Sequence, residues 1–210
     1  MKPSEEAAGG RREEILQAAK RLFAEQGFRE TNLNDVAELL GIRRQAFYYY
    51  FSSKEDILIE LVTRAGRAVD SAQELLDSSL APLDKLRELI KVHVRETLSD
   101  ADIFRVQLDE VRRLQSARGE ALRKEQEAYM QRVADVIAAG QQDGSVMRMP
   151  SSALARLIIG MSTEVVRWFD AGAGLSIEEM ADYVAQVAIN GVRADPPRPA
   201  SGTERCTPRR

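Results

Sequence analysis

Residues 36–48 read VAELLGIRRQAFY. This spacing is typical of a helix-turn-helix, in which two short helices cross at a tight turn. Ala37 is small enough to let the second helix pass close to the first, and Gly41 can adopt the left-handed backbone conformation of the turn. Four apolar residues can then close a small core beneath both helices: Val36, Leu40, Ile42 and Phe47.

The second helix of this motif has an outward face of hydrogen-bonding side chains. Arginine can bind guanine and glutamine can bind adenine in the major groove, which is wide enough to admit an α-helix. Hydroxyl and ammonium groups at helix starts suit backbone phosphates. The predicted DNA contacts are Thr31, Arg43, Arg44, Gln45, Tyr48, Tyr49 and Lys54. The alternative is that the aromatic run 47–51 only packs a small bundle and the arginines form a solvated face.

Apolar residues recur at helical spacing over almost the whole chain, which predicts an all-α protein. Thr31 and Ser53 are predicted to cap helices, and Ser176 with Glu179 to form a capping box. After three short helices come about six longer ones: one from residue 54, then 82–99, 101–116, 118–143, 151–171 and 176–193. The predicted organisation is a disordered arm (1–10), a three-helix helix-turn-helix domain (11–54), a larger helical domain (55–193) and a disordered tail (194–210).

Cysteine and histidine are nearly absent. The 210 residues include one cysteine, Cys206, and one histidine, His93. An intrachain disulfide is therefore impossible, and a His/Cys metal site or a Cys/His nucleophile is disfavoured. We expect no metal, no cofactor and no enzymatic activity.

The start of the chain carries Lys2, Glu5 and Glu6 and no apolar stretch, so we expect no signal peptide. No apolar run approaches the ~18 residues that a membrane span needs. These features predict a cytoplasmic protein without a membrane partner.

The formal net charge of −3 is a sum over unlike segments. Residues 1–54 carry +1, residues 55–192 carry −7 and residues 193–210 carry +3. Because exposed charges are screened beyond about 8–10 Å, an acidic larger domain does not argue against nucleic-acid binding by the first segment.

The first 58 residues resemble the DNA-binding domain of the tetracycline-repressor (TetR) family. Matching positions at fixed spacing are Ile15, Ala18, Ala19, Leu22, Phe23, Gly27, Phe28, Thr31, Val36, Ala37, Gly41, Ile42, Tyr48, Tyr50, Phe51, Lys54 and Glu55. The resemblance implies a transcriptional repressor that binds double-stranded operator DNA as a homodimer. This chain departs from the family's common Ser-Lys-Gly-Thr at Arg43–Ala46, so the resemblance does not indicate which base sequence is recognised. Asn34 stands where an arginine is common in the family, and we add Asn34 to the predicted DNA contacts.

The helix at 151–171 has more apolar residues than one face can use. A helix that is apolar on most of its circumference must bury two sides, one of them against a partner. Gly160 and Gly191 would allow helices to approach closely. We therefore predict a homodimer through the helices at about 151–171 and 176–193, which agrees with the family resemblance.

The middle helices are predicted to hold a small-molecule effector. The candidate contacts are His93, Phe104, Leu108, Arg112, Tyr129, Met130, Met161 and Trp168, with Val111 and Val133 as further lining residues and Arg105 and Arg113 beside Arg112. A stripe of methionines and aromatics at helical spacing is more often plain core, and a lone histidine on it is more often a satisfied core histidine. Both interpretations remain open at this point.

The segments Trp168–Phe169, Gly174–Ser176 and Glu178–Glu179 resemble the closing part of TetR-type regulators of lipid, sterol or aromatic-acid catabolism. That resemblance implies an acyl-CoA or another hydrophobic anion as effector, with arginines at the pocket mouth. The alternative function is a DNA-binding regulator or architectural module without a ligand, which a fully packed larger domain would favour.

Overall fold

The computed structural model describes residues 5–66 and 70–194, and these ranges are almost entirely helical. The α-helices are α1 (Glu5–Gln26), α2 (Leu33–Leu39), α3 (Arg44–Phe47), α4 (Lys54–Gly66), α5 (Asp70–Asp77), α6 (Pro82–Ser99), α7 (Ala101–Glu110), α8 (Ala117–Asp143), α9 (Ser151–Glu164) and α10 (Ile177–Val192). One isolated antiparallel bridge joins Val146 to Arg193. The predicted all-α class is confirmed.

The first helix begins earlier than predicted. Because α1 starts at Glu5, residues 5–10 are helical where a disordered arm was expected. Glutamate and alanine at positions 5–8 favour the helix. Because a long helix is already formed downstream, extending it by one residue costs little free energy, even through Gly9 and Gly10. The rest of the predicted arm and residues 195–210 of the predicted tail (194–210) lie outside the described residues, while the backbone N–H of Ala194 donates to the carbonyl oxygen of Ser145 at 3.2 Å.

Side-chain caps set the starts of α2, α4 and α10. Asn32, not Thr31, caps α2: its Oδ1 accepts the backbone N–H groups of Asn34 and Asp35 at 2.8 and 3.2 Å. The prediction that Thr31 caps this helix is wrong. The predicted capping box of Ser176 and Glu179 at α10 is confirmed, and at α4 the backbone N–H of Asp56 donates to Ser53 Oγ at 3.1 Å, as predicted.

Several predicted helices are longer than the observed ones because their last turns tighten. The helix predicted for 101–116 ends at Glu110 and continues as a 3-10 turn, Val111–Arg113. The helix predicted for 151–171 ends at Glu164, and 3-10 turns follow at Val165–Arg167 and Ala171–Ala173. Helix α5 was not expected as a separate element.

Buried apolar side chains form two large clusters. The N-terminal cluster joins α1–α4 to α7 and the start of α8; its members include Ile15, Phe23, Val36, Phe47, Phe51, Ile57, Ile103 and Leu122. The C-terminal cluster joins α6, α8, α9 and α10; its members include Ile90, Val94, Val133, Ile137, Ile158, Val184 and Ile189. Helix α4 thus packs with the helix-turn-helix, and the boundary at residue 54 stays a prediction.

In the two described ranges, no helix has the length and apolar character to cross a lipid bilayer.

Candidate nucleic-acid interface

The turn between α2 and α3 has the predicted backbone geometry. Gly41 adopts φ +62°, the left-handed region that glycine enters without steric cost. The backbone N–H of Ile42 donates to the carbonyl oxygen of Ala37 at 3.0 Å, which closes the turn. Val36 and Phe47 are fully buried beneath it, with Leu40 and Ile42 packed alongside. The helix-turn-helix is therefore built around a small apolar core.

Five of the predicted DNA contacts lie on α3 or on the residues that flank it. Arg43, Arg44 and Gln45 are exposed. Tyr48 is 45% exposed and Tyr49 63%, although large aromatic side chains are usually buried. Asn34 is exposed on α2. The structure thus leaves all six side chains accessible.

The cations of this face differ from those around it. Elsewhere in the described part of residues 1–54, every arginine and lysine except Lys54 pairs with a carboxylate: Arg11 with Glu14, Arg12 with Glu60, Lys20 with Asp100, Arg21 with Glu25 and Arg29 with Glu110. No carboxylate of the described residues pairs with Arg43 or Arg44. The positive charge available to phosphates or bases is therefore concentrated at the start of α3.

Thr31 and Lys54 are not available as phosphate contacts, which corrects the prediction for both. Thr31 is 1% exposed, and its hydroxyl donates to the carbonyl oxygen of Gly27 at 2.7 Å. Lys54 Nζ donates to the carbonyl oxygens of Phe28, Arg29 and Thr31 at 2.7, 2.8 and 2.9 Å. Because an ammonium has three protons, these bonds use its full donor capacity.

Lys54 therefore holds the loop after α1 against the start of α4. Its ammonium also lies 4.8 Å from the centre of the Phe28 ring. Burial lowers the pKa of the Lys54 ammonium, while the carboxylates of Glu30 and Glu110 act in the opposite direction. Sequence reasoning missed this role because the three carbonyl groups belong to residues 23–26 positions away, and no local sequence pattern indicates such contacts.

Ion pairs connect the helix-turn-helix to the helical body behind it. Arg29 Nε donates to both carboxylate oxygens of Glu110, at the end of α7, at 3.1 and 3.3 Å. Lys20 pairs with Asp100 at 2.7 Å, before α7, and Arg118 on α8 pairs with Asp56 at 2.6 Å. Helix α7 is thus tied to α1 and the following loop at both of its ends.

The predicted effector contacts separate into two groups, the first of which lies inside the C-terminal half. His93 Nε2 lies 2.9 Å from Thr163 Oγ1, and the His93 ring stacks on Tyr129 with centroids 6.3 Å apart. The remaining predicted contacts of this group pack in or against the C-terminal cluster: Phe104, Leu108, Met130 and Val133.

The hydrogen bond between His93 and Thr163 has a defined proton arrangement. The Thr163 hydroxyl donates to the carbonyl oxygen of Ile159 at 2.8 Å, so His93 Nε2 must carry the proton that Thr163 accepts. Burial lowers the pKa of His93 from 6.5 to about 4. Burial, and then the charge of Glu96, raise the pKa of Tyr129. Both rings are therefore neutral at pH 7.

The second group of predicted effector contacts points away from that interior. Met161 is exposed on α9, Trp168 is 63% exposed, and Arg112 is exposed after α7. Val111 is buried, but in the N-terminal cluster. Of the flanking arginines, Arg105 donates to the carbonyl oxygen of Val166 at 2.9 Å and Arg113 pairs with Glu110. The predicted set therefore does not converge on one pocket.

Two cavities occur elsewhere. One of about 270 Å³ lies between α5, α6 and α8 and is lined by Leu76, Leu80, Pro82, Lys85, Arg132, Asp135, Val136 and Ala139. The other, about 260 Å³, lies between the end of α1 and α7 and is lined partly by Phe28, Arg29, Asp102, Arg105 and Glu110. Neither cavity is lined by any of the eight predicted effector contacts.

Helices α9 and α10 share an uncovered apolar face. Leu157 and Val187 are each 62% exposed, and Met161, Trp168 and Tyr183 are exposed with them. A Cβ added at Gly160 or Gly191 would meet no atom within 4 Å, so the backbone here is open to an approaching helix. We call these five side chains and two glycines the α9/α10 face.

No group of three or more histidine, cysteine, aspartate or glutamate side chains in the described ranges has the arrangement to hold a metal ion.

Two family models match the chain. The first, bacterial regulatory proteins of the tetR family, matches residues 15–61, and the second, the tetracyclin repressor-like C-terminal domain, matches residues 79–192, more than half of the chain. The chain belongs to the TetR family. It is a DNA-binding transcriptional regulator, as the helix-turn-helix and the family resemblance together predicted.

Curated relatives and solved structures agree with this assignment. The HTH-type transcriptional repressor KstR2 of Mycolicibacterium smegmatis is 29% identical over 196 residues, which cover 90% of this chain and 93% of that protein. The structure of the ketosteroid transcriptional regulator KstR2 of Mycobacterium tuberculosis superposes with a TM-score of 0.80 at 24% identity, covering 88% and 96% of the two chains. AibR, solved with isovaleryl coenzyme A and operator DNA, has the same fold, with a TM-score of 0.75 at 18% identity and coverage of 84% and 97%.

Proposed function

We propose that this TetR-family protein is a homodimeric repressor that binds a palindromic operator through α3 and releases it when a small effector binds. The observation that carries the proposal is the exposed face of α3, where Arg43 and Arg44 lack carboxylate partners while the surrounding cations are paired. A face of free donors on a helix-turn-helix suits reading of base edges in the major groove. Such a repressor acts on the chromosome, so we place it in the cytoplasm.

The α9/α10 face supports the dimer. Several exposed large apolar side chains on two successive helices are typical of an interaction site. Because one face on two copies can pair only about a two-fold axis, the two α3 helices would be related by the same axis. Two such helices fit half-sites in successive major grooves, roughly 34 Å apart or somewhat more, which is why the proposed operator is palindromic.

The interior around His93 supports an effector site between α6, α8 and α9. Thr97 is fully buried one helical turn beyond His93, and its hydroxyl has no hydrogen-bond partner among the described residues. Buried polar groups normally have partners, so an unpaired hydroxyl beside the His93–Thr163 pair suits a bound molecule that supplies one. The surrounding apolar side chains suit a hydrophobic body.

For the class of effector, we propose a small hydrophobic molecule or an acyl-CoA-like anion. The neighbour AibR has isovaleryl coenzyme A bound. Arg112 lies outside the His93 interior, exposed on the 3-10 turn after α7 with no ion-pair partner in the described ranges, so we keep it only as a contact for an anionic group that extends to the surface. Because Met161 and Trp168 lie on the α9/α10 face, we do not place them in the effector site.

The packed interior favours a second candidate, a DNA-binding regulator without a small-molecule ligand. Neither of the two cavities described above is lined by His93, and Val133 and Ile137 of the C-terminal cluster are fully buried. An effector would therefore have to open this packing, whereas a regulator without a ligand would not.

The first experiment is a gel shift with the DNA that adjoins the protein's own gene. We expect specific binding with a Kd below about 1 µM at physiological salt, resistant to random competitor DNA. Binding that random DNA competes away equally would contradict the DNA-reading role of α3.

The second experiment is a thermal-shift series with isovaleryl coenzyme A, longer acyl-CoA thioesters, the free acids and coenzyme A alone. A bound effector at about 100 times its Kd stabilises the protein by about 2.7 kcal/mol. It should also release the DNA in the gel shift, since effector and operator would favour different conformations. Repression without any ligand that shifts the melting temperature or releases DNA would support the second candidate.

A further inference from the structure

The side chains of Arg44 and Tyr48 contact each other on the exposed face of α3. Arg44 Nη2 donates to Tyr48 Oη at 3.2 Å. The Arg44 guanidinium carbon also lies 5.6 Å from the centre of the Tyr48 ring, within cation–π range. The residues are four apart, so one helical turn brings them to the same side.

Tyr48 is itself held in place from below. Its ring packs edge-on against Phe47, with centroids 6.0 Å apart and an interplanar angle of 84°. Phe47 is fully buried in the N-terminal cluster. A chain of contacts therefore runs from the core through Phe47 and Tyr48 to the guanidinium of Arg44.

Orientation matters for an arginine that reads a base. Bidentate binding of guanine needs the guanidinium fork in the plane of the base, and a free arginine side chain must lose much rotamer freedom to reach that geometry. No carboxylate of the described residues orients Arg44. Tyr48 is thus the contact that restricts its guanidinium.

The Arg44 guanidinium and the Tyr48 hydroxyl both keep protons that they can donate to DNA. Arginine has only donors, so Tyr48 Oη is the acceptor of their bond and keeps its own proton. That proton can be donated to a phosphate while the remaining N–H groups of Arg44 face the bases. The contact therefore joins a backbone anchor to a base-reading group.

We propose that Tyr48 is a positioning residue for base readout by Arg44, and so a determinant of operator sequence as well as a phosphate contact. The proposal rests on the proposed function, in which α3 reads the operator.

The test starts from a duplex selected from a random library by the wild-type protein. Kd is measured at one salt concentration for this duplex, for its single-base-pair substitutions and for random DNA. The variants are Tyr48→Phe, Arg44→Ala and the double variant; Tyr48→Phe keeps the ring and its packing on Phe47. Tyr50→Phe is the matched control, since it removes a neighbouring hydroxyl from a partly buried ring that packs against the N-terminal cluster.

We expect Arg44→Ala to abolish discrimination at one base-pair position. Tyr48→Phe should lower discrimination at that same position roughly two- to fivefold, the size of one exposed side-chain hydrogen bond, because the variant loses the hydroxyl that Arg44 contacts and keeps the ring. It should cause no further loss of discrimination in the Arg44→Ala background, and Tyr50→Phe should leave discrimination unchanged.

Two results would overturn the proposal. If Tyr48→Phe weakens every duplex by one factor, Tyr48 contacts only phosphate, and the proposed function still stands. If the selection returns no preferred duplex, the proposed function fails, and this inference fails with it.

Discussion

The ammonium nitrogen of Lys54 lies 2.7 Å from the carbonyl oxygen of Phe28, and this contact joins the start of α4 to the loop that leads into the helix-turn-helix. Two further carbonyl oxygens complete its shell. A lysine at this place in the sequence suggested a phosphate contact, but its protons face inward. The position of α2 relative to α1 thus depends on a side chain from α4.

Replacing this lysine should destabilise the protein. We expect Lys54→Met to lower the free energy of unfolding by roughly 1–3 kcal/mol, because three carbonyl groups lose a charged donor. Urea denaturation measures the change, and Lys124→Met, at an exposed one-turn ion pair with Glu120, is the control with little effect. Unchanged stability together with weakened DNA binding would restore the phosphate role.

The cap of α2 gives a second stability test with a matched pair of asparagines. Asn32→Ala removes the capping box and should cost about 1 kcal/mol of unfolding free energy. Asn34→Ala, two residues later on the exposed side of α2, should leave stability nearly unchanged. Equal losses in both variants would show that the asparagine side chains act in some way other than capping.

Arg44 should carry sequence information. We expect Arg44→Ala to weaken binding to the selected operator by about 1–3 kcal/mol while changing binding to random DNA much less. Fluorescence anisotropy at fixed ionic strength measures both. Arg21→Ala, whose guanidinium pairs with Glu25 on α1, serves as the charge-matched control. Equal losses on operator and random DNA for Arg44→Ala would contradict base readout.

The α9/α10 face should hold the dimer together. Leu157→Glu places a charge on a side chain that is 62% exposed in one protomer, so the monomer should fold normally. In a dimer that uses this face, the new carboxylate would lose its contact with water, which disfavours association. We therefore expect the sedimentation coefficient to fall to that of a monomer. The control is Leu80→Glu, at an exposed residue beside α5, which should sediment like the wild type. A Leu157→Glu protein that also sediments like the wild type would argue against this interface.

His93 should make stability depend on pH. Its pKa is lowered to about 4 in the folded protein, so the unfolded chain binds a proton more readily. The stabilising contribution is therefore complete above pH 6.5 and is lost as the pH falls toward 4. His93→Gln keeps an N–H donor for Thr163 but cannot titrate.

We expect the unfolding free energy of the wild type, relative to His93→Gln, to decrease between pH 7 and pH 4 by on the order of 3 kcal/mol at most. Chemical denaturation at several pH values measures it. Because both proteins share Glu96 and the other carboxylates, the difference isolates His93. A difference independent of pH would show that the imidazole titrates normally.

Features encoded within a few residues were predictable. Gly41 and Ala37 predicted the turn, and Ser176 with Glu179 predicted the start of α10, because turn and cap contacts join residues that are three to five apart. The outward face of α3 followed from the same local periodicity. Its exposure in the structure agrees with that expectation.

Features that depend on distant contacts were not predictable in the same way. The apolar residues of the helix at 151–171 predicted that two of its faces are buried. Which residues lie on which face depends on how α9 packs against its neighbours. Met161 and Trp168 face outward because Ile158, Ile159 and Val166 already fill the inner side. The effector prediction therefore combined residues that the structure separates.

Helical periodicity and turn chemistry were enough to predict an all-α protein with a helix-turn-helix, since these signals act over one or two helical turns, and the resemblance to the TetR family implied a regulator. The tertiary structure was needed to direct Lys54 and Thr31 inward and to pair His93 with Thr163, 70 residues away. Each of these side chains has several low-energy rotamers on its own segment of backbone. Packing between helices selects one, and only that selection decides which polar groups meet the protein and which remain for DNA.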